Sequence, residues 1–195
     1  MNIQEKQQTA AAERLARNKA ANDTYIQQNY PDEKFISDSA QYSSINEYTR
    51  TITIPENVKI AVSRIPINEN TRNVLLKELS QAGILAKMGN SVYLIPEHPR
   101  YKERLKDAIV NGVLYEFRTV AGNANTLEWH YKFIKREKGI DTNVFINVTS
   151  GVFTKGEAIR RIGKIIRRHP EYTGKIIMSF DSGEKTYFWD SNDLR

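Results

Sequence analysis

The dipeptide Asn111-Gly112 restricts the fold of this chain more than any other pair of residues. It separates two strand-like runs, residues 106–110 and 113–119. A two-residue hairpin loop needs positive φ at both central positions, which Asn and Gly tolerate and most residues do not. The flanking runs are therefore expected as an antiparallel pair, and the rest of the domain must accommodate a sheet. Ahead of the hairpin, Val74, Leu75, Leu79 and Ala82 recur at helical spacing, with Asn70 or Thr71 as cap and Gly83 as terminator, and residues 91–95 read as a short strand. Beyond it come a basic, aromatic-rich helix over residues 126–138 and a buried strand over 143–148. Thr154 and Glu157 then form a T-x-x-E capping box for a helix to residue 168, with Ala158, Ile159, Ile162, Ile165 and Ile166 on one stripe. Residues 175–180 and 185–189 flank a second hairpin turn at 181–184. The order α-β-β-β-α-β-α-β-β predicts an α/β or α+β domain, a mixed central sheet flanked by helices. No internal repeat and no phosphate-binding glycine loop is visible.

The first 50 residues have a different texture. Ala, Gln, Asn and Ser dominate residues 1–45, and glycine is absent from them. Residues 1–28 suit an Ala/Gln-rich helix, and Pro31 with the polar stretch 37–48 suits a flexible connection. The expected division is a helical arm at 1–50, able to dock a partner, and an α/β domain at 51–195. Extended segments marked by Ile52, Ile54, Val58, Ile60 and Val62 open that domain.

Composition removes several classes. The chain has no cysteine and three histidines, which excludes disulfides, thiolate zinc sites and a thiol nucleophile. No apolar run approaches a membrane span, and no secretory signal is evident, so a cytoplasmic site of action is expected. Of 29 basic and 23 acidic side chains, 11 and 11 fall in residues 1–99, which leaves 18 and 12 in residues 100–195. The whole excess of +6 thus sits in the second half, the expected face for a polyanion.

The hairpin also carries the candidate chemistry. Asp107 lies at the open end of its first run, and Glu116 and Arg118 alternate with Tyr115 and Phe117 on the second, so the two charged residues share a face. Carboxylates brought together need a cation between them, and hard oxygen donors suit Mg²⁺ or Mn²⁺. The same alternation also describes a solvated outer face with a surface ion pair. Around the hairpin, Asn123 and Asn125 could meet phosphate. Lys132, Lys135 and Arg136 interleave with aromatics as in nucleic-acid sites, and Arg160, Arg161 and Lys164 stand opposite the isoleucine stripe of the last helix. His130 is a candidate general acid or base.

Residues 72–189 resemble the C-terminal tRNA-nuclease toxin domain of CdiA-type contact-dependent growth inhibition proteins and its phage and mobile-element relatives. The likeness rests on element order: the helix at 75–83, Asp107 before the Asn-Gly hairpin, Glu116-Phe117-Arg118-Thr119, the strand at 143–148, the helix at 157–168 and the final hairpin. It implies a PD-(D/E)XK-like nuclease fold in which Asp107 and Glu116 hold a divalent ion. Glu78 would assist from the upstream helix, and Asn147 would be a polar residue of the site. Arg118 stands where the family has lysine, and a guanidinium cannot serve as a general base. The expected function is divalent-metal-dependent hydrolysis of RNA, with tRNA as the substrate the resemblance suggests. A cognate immunity protein or a virion partner is expected on the N-terminal arm. Two alternatives remain: a non-catalytic nucleic-acid-binding or virion-associated protein on the same fold, and a metal-independent ribonuclease using His130 and Arg118.

Overall fold

The structure is a computed structural model, and it describes residues 2–38, 40–43, 46–96, 106–121, 139–149, 154–181 and 186–190. It divides into two compact units, Met1–Leu114 and Tyr115–Arg195. Both are mixed sheets with helices, as the α/β expectation required.

Unit 1 contains α1 (Ile3–Asn29), β1 (Phe35–Ile36), the short α2 (Ala40–Ser43), β2 (Val58–Ala61), α3 (Glu69–Lys87), β3 (Val92–Leu94) and β4 (Ala108–Val110). β1 pairs antiparallel with β2, β2 runs parallel to β3, and β3 pairs antiparallel with β4. The parallel pair requires a crossover, and α3 supplies it. Register places Lys59, Tyr93 and Ile109 side by side on one face, with Val58 and Val92 on the other. α1 covers the first of these faces. Its Tyr25 and Ile26, with Tyr30 just after it, pack around Ile95, Ile109, Phe35 and Leu114, while α3 packs against β2 and β3.

The first 50 residues are therefore part of unit 1 and not an arm beside it. The cause lies in the second half of α1, where Leu15, Asn18, Asn22, Tyr25, Ile26 and Asn29 recur at helical spacing and turn inward. Residues 3–14 are exposed on every side, and only this portion behaves as a projecting helix. Asn2 and Glu5 close a reciprocal capping box at its start. The stretch after Pro31 supplies β1, α2 and a tight turn at Glu47–Thr49.

α3 also differs from its expected limits. Asn68 is the cap, its Oδ1 accepting from the Thr71 amide, and the helix continues through Gly83 to Lys87. Gly83 is a packing position, since a Cβ there would lie 3.2 Å from the Pro55 ring. The left-handed residue that follows the helix is Gly89, with φ of 82°. At the hairpin, Asn111 and Gly112 both have positive φ, 52° and 83°, as the two-residue turn demands.

Unit 2 is built on β5 (Val113–Val120), β6 (Asn143–Val148), α4 (Lys155–Arg168), β7 (Ile176–Asp181) and β8 (Thr186–Asp190), with the first two residues of β5 counted in unit 1. β5, β6 and β7 are parallel and β8 returns antiparallel to β7. Thr154 and Glu157 close the capping box expected for α4. Ala158, Ile162 and Ile165 pack on Val120, Val144, Ile146, Val148, Ile176, Met178 and Phe180. Both units thus contain the same local order, strand, helix, parallel strand, antiparallel strand, as β2-α3-β3-β4 and as β6-α4-β7-β8. The sequence shows no matching repeat, because this order needs only apolar alternation and a crossover helix. The expected helix at 126–138, and with it Asn123, Asn125, His130, Lys132, Lys135 and Arg136, lies outside the described residues.

Candidate functional site

Two buried carboxylate–guanidinium pairs stand out, one in each unit. In unit 2, Glu116 is 1% exposed and forms an ion pair with Arg118, two residues along β5. Register sets Glu116 beside Val144 and Arg118 beside Ile146, both members of the cluster under α4. The shared face read from the alternation is therefore the helix-covered face, not a solvated one. An isolated charge in such a place is costly, and a paired one persists only with good partners.

In unit 1, Glu78 is turned inward from α3 and meets the guanidinium of Arg64. Arg64 ends a tight turn at Val62–Arg64 that follows β2, and its Nη1 also donates to the main-chain oxygen of Asp107 at 3.1 Å. Sequence reasoning passed over Arg64. The available signal was a lone cation in an extended apolar stretch between Pro55 and Pro66.

The remaining candidates are dispersed. Asn147 shares a register row with Thr119 and Ser179, and its Oδ1 accepts from the Ser179 hydroxyl at 2.8 Å. That row belongs to the opposite face of the sheet from Glu116 and Arg118, because period-two alternation separates it from them. Asn147 is thus not a neighbour of the acidic pair on β5. On α4, Arg160 and Lys164 are exposed and Arg161 is half-buried. With Arg167 and Arg168 they make the outer surface of the helix strongly cationic.

The donor chemistry suits a hard divalent ion at Asp107 and Glu116, whose carboxylates are the kind of ligand that Mg²⁺ and Mn²⁺ take. Glu78 does not suit it. Its carboxylate faces an arginine whose side chain is only 4% exposed, and a metal ion would have to displace that guanidinium. Asp107 belongs to unit 1 and Glu116 to unit 2. Among the described residues, no three acidic or histidine side chains gather as a metal cage.

Electrostatics elsewhere follow from local bonding. The Thr154 backbone amide, held by the cap, keeps the Glu157 carboxyl below its usual value. Burial, and then the hydrogen bond to Asp23, push the Tyr93 phenol far above its ordinary 10.0. Asp23 also pairs with Lys59 at 3.3 Å, whose ammonium lies over the Tyr93 ring.

Fold and site together define a mixed α/β protein with buried acid–arginine pairs and a basic crossover helix. No family model, curated protein or solved structure matches the chain. No helix among the described residues is long and apolar enough to cross a membrane.

Proposed function

We propose that this chain is a nuclease-like protein that hydrolyses RNA phosphodiesters, tRNA among them, with a divalent ion held by Asp107 and Glu116. The observation that carries the reading is the buried Glu116–Arg118 pair on β5, since ionisable groups kept in an apolar interior concentrate at functional sites. The order α3, β3, β4, β5, β6, which is the order of the resembling nuclease domains, supports it as well. Magnesium or manganese would neutralise charge developing on the phosphate and activate water. Arg118 would hold a phosphate oxygen without accepting a proton. The cationic surface of α4 would hold the strand through its phosphates, so that affinity falls with salt. A cytoplasmic site of action belongs to the same proposal, as does docking of an immunity or virion partner on the exposed turns of α1.

The second reading, a nucleic-acid binder without turnover, is favoured by one fact: Glu78 and Glu116 each meet a guanidinium, so their charge is satisfied without a metal. Full-length protein incubated with tRNA and Mn²⁺ or Mg²⁺ separates the two. Cleavage that stops in EDTA and in Asp107→Ala and Glu116→Ala supports hydrolysis. Metal-independent binding without turnover selects the second reading, and cleavage in chelator lost in His130→Ala selects a metal-free ribonuclease.

A further inference from the structure

We infer that Arg64 is the positioning residue for Asp107, a role that rests on the proposed ion at that carboxylate. Arg64 joins three segments of unit 1: the turn after β2 that carries it, α3 through Glu78, and the residue just ahead of β4 through the Asp107 carbonyl. That carbonyl also accepts from the Ile95 amide at 3.1 Å. Two donors therefore fix the Asp107 peptide from different sides, and the direction of the side chain follows from its backbone.

The identity of the cation matters. A guanidinium presents a rigid fork that can serve two acceptors at once, whereas an ammonium is a point charge on a flexible stem. One nitrogen of the fork is spent on Glu78 and the other on Asp107. Glu78 thus acts as the anchor of Arg64 and not as a ligand of the ion. A simple staple between α3 and the sheet would be served as well by apolar packing, which often equals or exceeds a buried ion pair in stability. A fork aimed at the peptide of a proposed ligand serves orientation instead.

The test is Mn²⁺ binding by the full chain without RNA, read from the electron paramagnetic resonance of free Mn²⁺, alongside thermal melting. Arg64→Lys retains the charge beside Glu78 and loses the fork. It is expected to keep the melting temperature close to the wild type and to weaken Mn²⁺ binding by about tenfold or more, the usual loss when a residue behind a metal ligand is changed. Unchanged binding would overturn the inference, and tighter binding would too, because Glu78 once released would then be a ligand itself. Should Arg64→Lys fail to fold, Glu78→Gln carries the test: weaker binding supports an anchored arginine, and binding equal to the wild type overturns it. With both variants folded, the double variant should lose no more than Arg64→Lys alone, and additive losses would make Glu78 an independent ligand. A wild type that binds no Mn²⁺ overturns the ion reading together with this one. Binding abolished in Glu116→Ala but intact in Arg64→Lys overturns only the role of Arg64.

Discussion

Asn22 offers the sharpest measure of whether α1 belongs to the fold. Its side chain is fully buried, and its Nδ2 donates to the Ser91 main-chain oxygen at 3.0 Å and to the Ser91 hydroxyl at 3.1 Å. Its Oδ1 accepts from the Gly112 amide at 2.6 Å, so one amide group ties the helix to β3 and to the hairpin turn. In Asn22→Ala the Ser91 carbonyl keeps a second donor, the Asn111 amide, but the Gly112 N–H loses the acceptor supplied by α1. Two lost hydrogen bonds at about 1 kcal/mol each, plus about 1 to 3 kcal/mol for an orphaned buried donor, give roughly 3 to 5 kcal/mol. With a urea slope of about 2 kcal/mol/M, the midpoint should fall by roughly 1.5 to 2.5 M. Urea unfolding of the full chain, followed by circular dichroism, measures this directly. Gln7→Ala, in the exposed turns, is the control and should leave the midpoint in place, because surface substitutions stay within about 0.5 kcal/mol. A midpoint for Asn22→Ala that coincides with that control would show that α1 is not latched and would return it to the status of an arm.

Other consequences can be tested more briefly. Gly174→Ala should destabilise unit 2 severely, because the Thr142 carbonyl stands where the new Cβ would go; a thermal melt equal to the wild type would refute that packing. Tyr93 is held neutral by burial and Asp23, so its contribution to stability is complete below its unfolded value of 10.0 and lost as pH rises above it. Ultraviolet titration should show one tyrosine that ionises only as the fold gives way, a step absent in Tyr93→Phe. Glu157 has the opposite sign: its folded value lies below 4.5, so its contribution is present above 4.5 and fades as pH falls through the folded value. Glu157→Gln should flatten that part of the acid-unfolding curve. If α4 contacts RNA phosphates, Arg160→Ala combined with Lys164→Ala should lower the slope of log K against log salt by about 1.4 on a single strand.

Much of the fold was legible because its signals are local. The Asn-Gly turn, the Thr154–Glu157 cap and the isoleucine stripe of α4 each act within a few residues, and all three lie where the pattern placed them. The limits of α3 were less so. Gly83 looks like a terminator from its neighbours, but the chain keeps a glycine there because Pro55, 28 positions earlier, leaves no room for a side chain. The integration of α1 was hidden for a related reason. Its inward stripe includes Asn18, Asn22 and Asn29, polar residues that look solvated until their partners are known. Two of those partners, Ser91 and Gly112, lie 69 and 90 positions away.

The candidate site divides along the same line. That Glu116 and Arg118 share a face follows from strand periodicity alone, but which face depends on α4 returning from residue 155 to cover it. Asn147 failed as a neighbour because its strand alternates in the same way: register pairs it with Thr119, one residue out of phase with Arg118. Glu78 was picked correctly as an inward carboxylate of the upstream helix, yet its role was misassigned, since a search for metal ligands counts acids and overlooks the cation that already answers them. Arg64 is that cation, and no motif marks it. A buried acid should therefore be accepted as a metal ligand only after every arginine within reach has been given another task. By that standard Asp107, whose carbonyl Arg64 holds through one arm of its fork, is a stronger candidate ligand than Glu78, whose carboxylate the other arm neutralises.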